Sequence, residues 1–247
     1  MRILLTNDDG FDSRGLQCLK ASLSREHEVW VIAPNDNRSG SSHAITLDGP
    51  TRIKRVGERE YACFGTPADC VLAGCLGLLP QAPDMVVAGI NLGPNLGTDI
   101  VYSGTAAAAR QGALMGTPSL AASLASFDPP FYLEYPVEFI LRNLELIRSL
   151  WAGDHFLNLN FPNTPSPAPA PLVTFPTRRV YKDELVKFQA PKGELYCFLG
   201  GAEPESQMEE GSDHWGLMQG RISISPILIH PTNHGIEERY GQVRFWS

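Results

Sequence analysis

The chain has 247 residues, with 20 Lys and Arg against 27 Asp and Glu and a net charge of −7. Hydrophobic residues make up 43% and charged residues 19%, a globular composition that excludes disorder as the main state. A chain of this length buries roughly 70–75% of its unfolded surface. Its acidic balance excludes broad binding to a nucleic-acid duplex, but not local capture of a phosphate at a helix end or through a cation.

Residues 2–6 are a short apolar run that stops at Asn7-Asp8-Asp9-Gly10, which reads as a buried strand closed by a polar turn. Ser13 is placed to cap a helix whose Leu16, Leu19 and Leu23 share one face. Residues 28–33 are the next strand, halted at Pro34. Strand, helix, strand argues for a parallel sheet with a right-handed crossover. Residues 35–43 form a polar loop, and 51–56 with 60–64 predict a small hairpin. Thr66, Pro67 and Asp69 open a helix as cap, first-turn proline and capping-box acid.

Residues 84–89 predict another buried strand, 91–105 a Gly- and Asn-rich loop, and 106–115 a small-residue helix. A strand at 119–123, an amphipathic helix at 135–150 and a strand at 156–160 follow. The stretch 162–176 carries six prolines and reads as a semi-rigid extended connector. Residues 185–188 and 194–199 can pair across Pro191-Lys192-Gly193. Residues 203–213 hold five acids and no base, which reads as a solvated acidic loop. Residues 223–227 return as a strand. The expected class is α/β, a core of roughly 160 residues plus a smaller, irregular C-terminal part.

Nothing at the N-terminus looks like a signal peptide, because the apolar run ends after three residues. The charge-poor stretch 111–127 is split by Gly116-Thr117-Pro118, so it is not a membrane span. Five cysteines without a CxxC pair argue against a disulfide framework or a structural zinc site and fit a reducing cytoplasm.

In parallel sheets, ligands bind beyond the carboxyl ends of the strands. That rule selects loops 7–12, 35–43 and 90–105. Adjacent carboxylates at Asp8 and Asp9 favour a hard cation such as Mg²⁺, Mn²⁺ or Ca²⁺ between them, although the same residues also make an ordinary turn. The second loop offers Ser39, Ser41, Ser42 and His43; His43 alone reads as a structural hydrogen-bonding residue. The third offers Asn91 and Asn95, then Ser103, Gly104 and Thr105 at the start of the Ala-rich helix, where free N–H groups suit an anion. Acids, hydroxyls, amides and a helix N-terminus on one rim are the equipment for metal-assisted phosphoryl transfer to water. No GxGxxG, GxxxxGK[ST] or GxSxG is present.

Thr6-Asn7-Asp8-Asp9-Gly10, Ala33-Pro34 with Arg38-Ser39, His43-Ala44-Ile45-Thr46, Gly65-Thr66-Pro67-Ala68-Asp69-Cys70, Gly89-Ile90-Asn91-Leu92-Gly93-Pro94-Asn95 and Tyr102-Ser103-Gly104-Thr105 occur in this order. Together they resemble the survival protein E (SurE) family of metal-dependent nucleoside 5'-monophosphate phosphohydrolases, over nearly the whole chain. The resemblance implies a single domain with a Rossmann-like, mostly parallel sheet, helices on both faces and a C-terminal hairpin extension used in oligomerisation. It implies one divalent cation per subunit, Mg²⁺ or Mn²⁺, held at Asp8, Asp9, Ser39 and Asn91. It also implies a phosphate pocket lined by Asn95, Ser103, Gly104 and Thr105, and a homodimer or homotetramer.

The activity expected from it is hydrolysis of nucleoside 5'-monophosphates, with 3'-nucleotides and short polyphosphate as further substrates, through a metal-activated water with Asp8 or Asp9 as general base. An aspartyl-phosphate route through Asp8 meets Gly10 where a second acid usually stands. A different class, a non-catalytic nucleotide or metal sensor, uses the same loops without cleavage. The residues least like the family are 163–172 and 182–199.

Overall fold

The structure is a computed structural model that describes residues 1–166, 170–231 and 233–243. The first half contains β1 (Arg2–Thr6), α1 (Arg14–Leu23), β2 (Glu28–Pro34), β3 (Ile53–Arg55), β4 (Glu60–Cys63), α2 (Pro67–Ala73) and β5 (Met85–Leu92). Next come α3 (Gly104–Leu114), β6 (Ser119–Ala125), α4 (Glu134–Leu150), β7 (His155–Pro162) and β8 (Leu172–Val173). The C-terminal part holds β9 (Arg179–Gln189), β10 (Leu195–Ser206), α5 (Asp213–Met218), β11 (Ser223–Leu228) and α6 (His234–Gly241).

Nine strands form one sheet in the order β3-β4-β2-β1-β5-β6-β7-β11-β8, and β9 and β10 form a separate antiparallel pair. From β4 through β7 every neighbouring pair is parallel. Within this sheet, β3 on β4 and β11 on β7 are the antiparallel pairs. The expected mostly parallel α/β architecture is therefore the observed one.

Alternation along β1 shows why its run is apolar on every residue. Ile3 and Leu5 pack with Leu16 and Leu19 of α1 and with Ile140 and Leu144 of α4. Leu4 faces the other way, with Val71 of α2 and Ala106 and Ala109 of α3. Both faces are covered by helices, so a polar residue on either would be buried. Each such leucine or isoleucine contributes about 1.5–3 kcal/mol through burial. After β1 the chain fills the sheet to one side as β2 and β4, then to the other as β5, β6 and β7. The crevice beyond the carboxyl ends of β1 and β5 is thus the topological switch point, where α/β sheets bind ligands.

Several expectations change in detail. Ser13 makes no side-chain cap for α1; its Oγ instead accepts from Asn7 Nδ2 at 2.6 Å. The long loop after β5 is shorter than expected, because β5 runs through Leu92, a 3₁₀ turn covers Gly97–Val101, and α3 begins at Gly104. Thr66 and Asp69 form the expected capping box on α2. The Pro-rich connector contains β8, which pairs with β11; its residues 167–169, with Pro167 and Pro169, lie outside the described residues. The hairpin is much longer than expected, with β9 and β10 pairing from Gln189–Leu195 to Arg179–Ser206 and a shift of register between Ala202 and Glu205. The solvated acidic loop is corrected at both ends: Glu205 lies in β10, and Asp213 is fully buried at the start of α5.

Candidate active site

Asp8 stands just past β1, after Asn7, and is 3% exposed. Thr105, in the first turn of α3, donates its hydroxyl to Asp8 Oδ1. Burial raises the Asp8 pKa above the ordinary carboxylate value, while the hydroxyl and N–H of Thr105 and the N–H of Gly104 pull it down. Helix α3 thus directs its N-terminal donors at a carboxylate, which its dipole favours. Gly104 is what allows this approach, since a Cβ there would lie 2.8 Å from Asp8 Cβ. Asp9 is half-buried, and its Oδ2 accepts from Leu92 N at 3.2 Å. Burial and the neighbouring charge of Asp8 push its pKa up to about 6. Gly10 closes the turn at φ +105°, a conformation that side chains with a Cβ rarely adopt.

An open cleft of about 250 Å³ lies against Asp8. Asp8, Ser39, Asn91, Asn95 and Ser103 line it. Asp9, Gly104 and Thr105 stand beside or behind that lining, joined to it through Leu92 and Asp8. The structure therefore brings all eight expected residues to one place. Ser39 is exposed, and its N–H donates to Asn37 Oδ1 at 2.8 Å. Ser42 anchors this loop to the 3₁₀ turn by donating to Val101 O at 2.7 Å. His43 contacts Gln111 Oε1 through Nε2 at 2.9 Å, the structural role expected of it.

The amide residues are more committed than the sequence suggests. Asn91 Nδ2 donates to Gly93 O at 2.7 Å, so its Oδ1 is the side-chain atom that could face a cation. Asn95 Nδ2 donates to Ser123 Oγ at 2.8 Å, and its N–H donates to Asn160 Oδ1 at 2.9 Å. Asn95 O receives the amides of Asn158 and Asn160. Ser103 caps α3 by accepting from Ala106 N at 3.0 Å.

Asn158, Asn160, Ser123 and Asp213 are the supporting residues that sequence reasoning missed. Asn158 and Asn160 alternate with Leu157 and Leu159 in β7 and are fully buried. Two amides inside a core strand were the available signal, because buried amides need partners. Asp213 accepts from Gly97 N at 2.7 Å and Thr177 N at 2.9 Å, so it ties the 3₁₀ turn to the chain before β9.

The donor set suits a hard cation. Asp8 and Asp9 could supply carboxylates, Ser39 a hydroxyl and Asn91 an amide oxygen, all oxygen donors. Among the described residues no group of three or more His, Cys, Asp or Glu gathers as a metal centre. Two adjacent, partly buried carboxylates whose pKa values are both raised gain from a cation between them. Among the described residues no helix is long and apolar enough to cross a membrane.

The model of the family described as survival protein SurE matches residues 3–183. The chain is 43% identical over 241 residues to a 5'-nucleotidase SurE of Chloroflexus aggregans, covering 95% of each chain. It is 39% identical over 251 residues to a 5'-nucleotidase SurE of Methylococcus capsulatus, covering 100% of this chain and 97% of that one. The crystal structure of the SurE protein from Aquifex aeolicus superposes with a TM-score of 0.84 at 33% identity, over 97% of this chain and 98% of the other. The fold, the ordered motifs and these matches agree: the chain belongs to the SurE family.

Proposed function

We propose that the protein is a metal-dependent phosphomonoesterase that hydrolyses nucleoside 5'-monophosphates to nucleoside and phosphate. The observation that carries this reading is the carboxylate pair Asp8 and Asp9 at the switch point, beside the N-terminus of α3 and the oxygen ligands Ser39 and Asn91. The names of the relatives support the substrate class.

Asp8, Asp9, Ser39 and Asn91 would hold one divalent cation, Mg²⁺ or Mn²⁺. When bound, it neutralises phosphate charge and lowers the pKa of a water. Thr105 keeps the Asp8 carboxylate in one orientation. Asp9 Oδ2 accepts from Leu92 N, which holds its carboxylate beside Asp8, and one of these two carboxylates takes the proton of the attacking water. Ser103 accepts from Ala106 N and keeps its hydroxyl hydrogen for a phosphate oxygen. Asn95, fixed by Ser123 and Asn160, lines the phosphate pocket with Ser103, and Gly104 and Thr105 back it against Asp8.

We read the chain as one domain acting in the cytoplasm. The core spans residues 1–161 with the returning strand β11, and the hairpin β9–β10 serves assembly into a homodimer or homotetramer. Leu195, Phe198 and Leu199 on that hairpin are each at least 60% exposed, an apolar surface that suits a second copy.

The test is phosphate release from a panel of nucleoside 5'- and 3'-monophosphates and short polyphosphate, with EDTA and then with Mg²⁺ or Mn²⁺. Metal-dependent release lost in Asp8→Asn and Asp9→Asn supports the hydrolase. Near-normal turnover in both variants sinks the assignment. Nucleotide binding without release under any metal selects the sensor instead.

A further inference from the structure

The lining of the cleft includes three aromatic residues, Tyr102, Phe127 and Tyr181, together with Asp8 and Asn91. Phe127 is 75% exposed and Tyr102 54% exposed, so neither ring is spent on the core. The rings of Tyr102 and Tyr181 meet edge to face, with centroids 6.0 Å apart and planes at 90°. Asp99 fixes this pair. Its carboxylate accepts from the Tyr181 hydroxyl and from Arg179 Nη1. Phe127 packs over the backbone at Gly93, where a Cβ would lie 2.3 Å from its Cε1. Only a residue without a Cβ lets the ring settle there. Tyr102 directly precedes Ser103, at the phosphate end of the same cleft.

We propose that Tyr102, Phe127 and Tyr181 form the nucleobase subsite: the base packs among these rings while the phosphate lies at Asp8 and Ser103. This rests on the nucleotidase reading above and adds how a nucleotide is told apart from other phosphate monoesters. Every base has a π face, so stacking selects for the presence of a base more than for its identity. Asp99 and Arg179 act on the base through Tyr181, as positioning residues.

The probes are adenosine 5'-monophosphate and ribose 5-phosphate, which share the phosphate and the pentose and differ by the base. The readout is the ratio of their kcat/KM values. Tyr102→Ala and Phe127→Ala should each lower that ratio about tenfold, mainly through KM for the nucleotide, whereas Tyr102→Phe keeps it. Tyr181→Phe, which frees the ring from Asp99, should lower it by a smaller factor.

A ratio unchanged in both alanine variants overturns the subsite, as does an equal fall for both probes. If the wild-type protein hydrolyses neither probe, the nucleotidase reading fails on its own account. Calorimetric binding of the nucleotide then decides the subsite: a Kd raised about tenfold in Tyr102→Ala supports it, and an unchanged Kd overturns it.

Discussion

The Thr105 hydroxyl donates to Asp8 Oδ1 across 97 positions of sequence, from the first turn of α3 to the end of β1. Asp8 is 3% exposed and Thr105 is fully buried. A carboxylate taken out of water needs compensation, and this bond supplies part of it. It also leaves Asp8 a single orientation at the cleft.

Thr105→Val keeps the volume and removes the donor. Leaving Asp8 short of a partner should destabilise the fold by about 1–3 kcal/mol. A misplaced Asp8 should also lower kcat/KM by about 10²-fold. Thr105→Ser should restore most of both. Urea unfolding together with steady-state phosphate release checks this, and wild-type kinetics in Thr105→Val would remove the bond from the functional account.

Gly104→Ala tests the close approach of α3 to Asp8. The new methyl would lie 2.8 Å from Asp8 Cβ and 2.9 Å from Asp8 Oδ2. Overpacking of this kind costs about 1–3 kcal/mol. Because the carboxylate itself must move, turnover should fall by more than about 10²-fold while the circular dichroism spectrum stays native. Turnover within a few-fold of wild type would mean that Asp8 shifts without consequence.

The central sheet was legible because its strands are buried on both faces and read as uninterrupted apolar runs such as Ile3, Leu4 and Leu5. The loops were legible because Asp8 and Asp9, Asn91 and Ser103 stand directly at strand or helix ends. Long-range polar contacts were not. Asp213 sits among acids in sequence, and only the folded chain brings Gly97 N and Thr177 N to its carboxylate. Asn160 lies 65 positions from the Asn95 backbone it holds. The hairpin's reach was underestimated because β9 carries exposed residues on both faces, so no single-face periodicity marks its ends.

Asp213→Ala should therefore be costly although the residue is far in sequence from the site. It removes the acceptor for Gly97 N, Thr177 N and His214 N. Leaving buried backbone donors unpaired should cost about 2–4 kcal/mol. Asp213→Asn keeps one acceptor oxygen and should lose less. Hydrogen exchange should show faster opening at Gly97 and Thr177 in both variants, and native protection there would contradict the tie.

Asp9 links stability to pH and to the cation. Burial, then the charge of Asp8, raises its pKa from 3.8 to about 6. A raised carboxyl binds its proton more tightly in the folded chain than in the unfolded one. Its contribution is thus fully present below 3.8 and is lost as pH rises through about 6. A shift of this size corresponds to about 3 kcal/mol. The cation-free protein should accordingly lose thermal stability between about pH 4 and 7 through this group. At neutral pH a divalent cation relieves the repulsion between the two carboxylates, so added Mg²⁺ should raise Tm by several degrees there and by little near pH 5. Asp9→Asn cannot ionise, and it should flatten both the pH slope and the cation effect. Scanning fluorimetry with EDTA or Mg²⁺ across this range measures all of these, and a cation effect equal at both pH values would separate Asp9 from the cation.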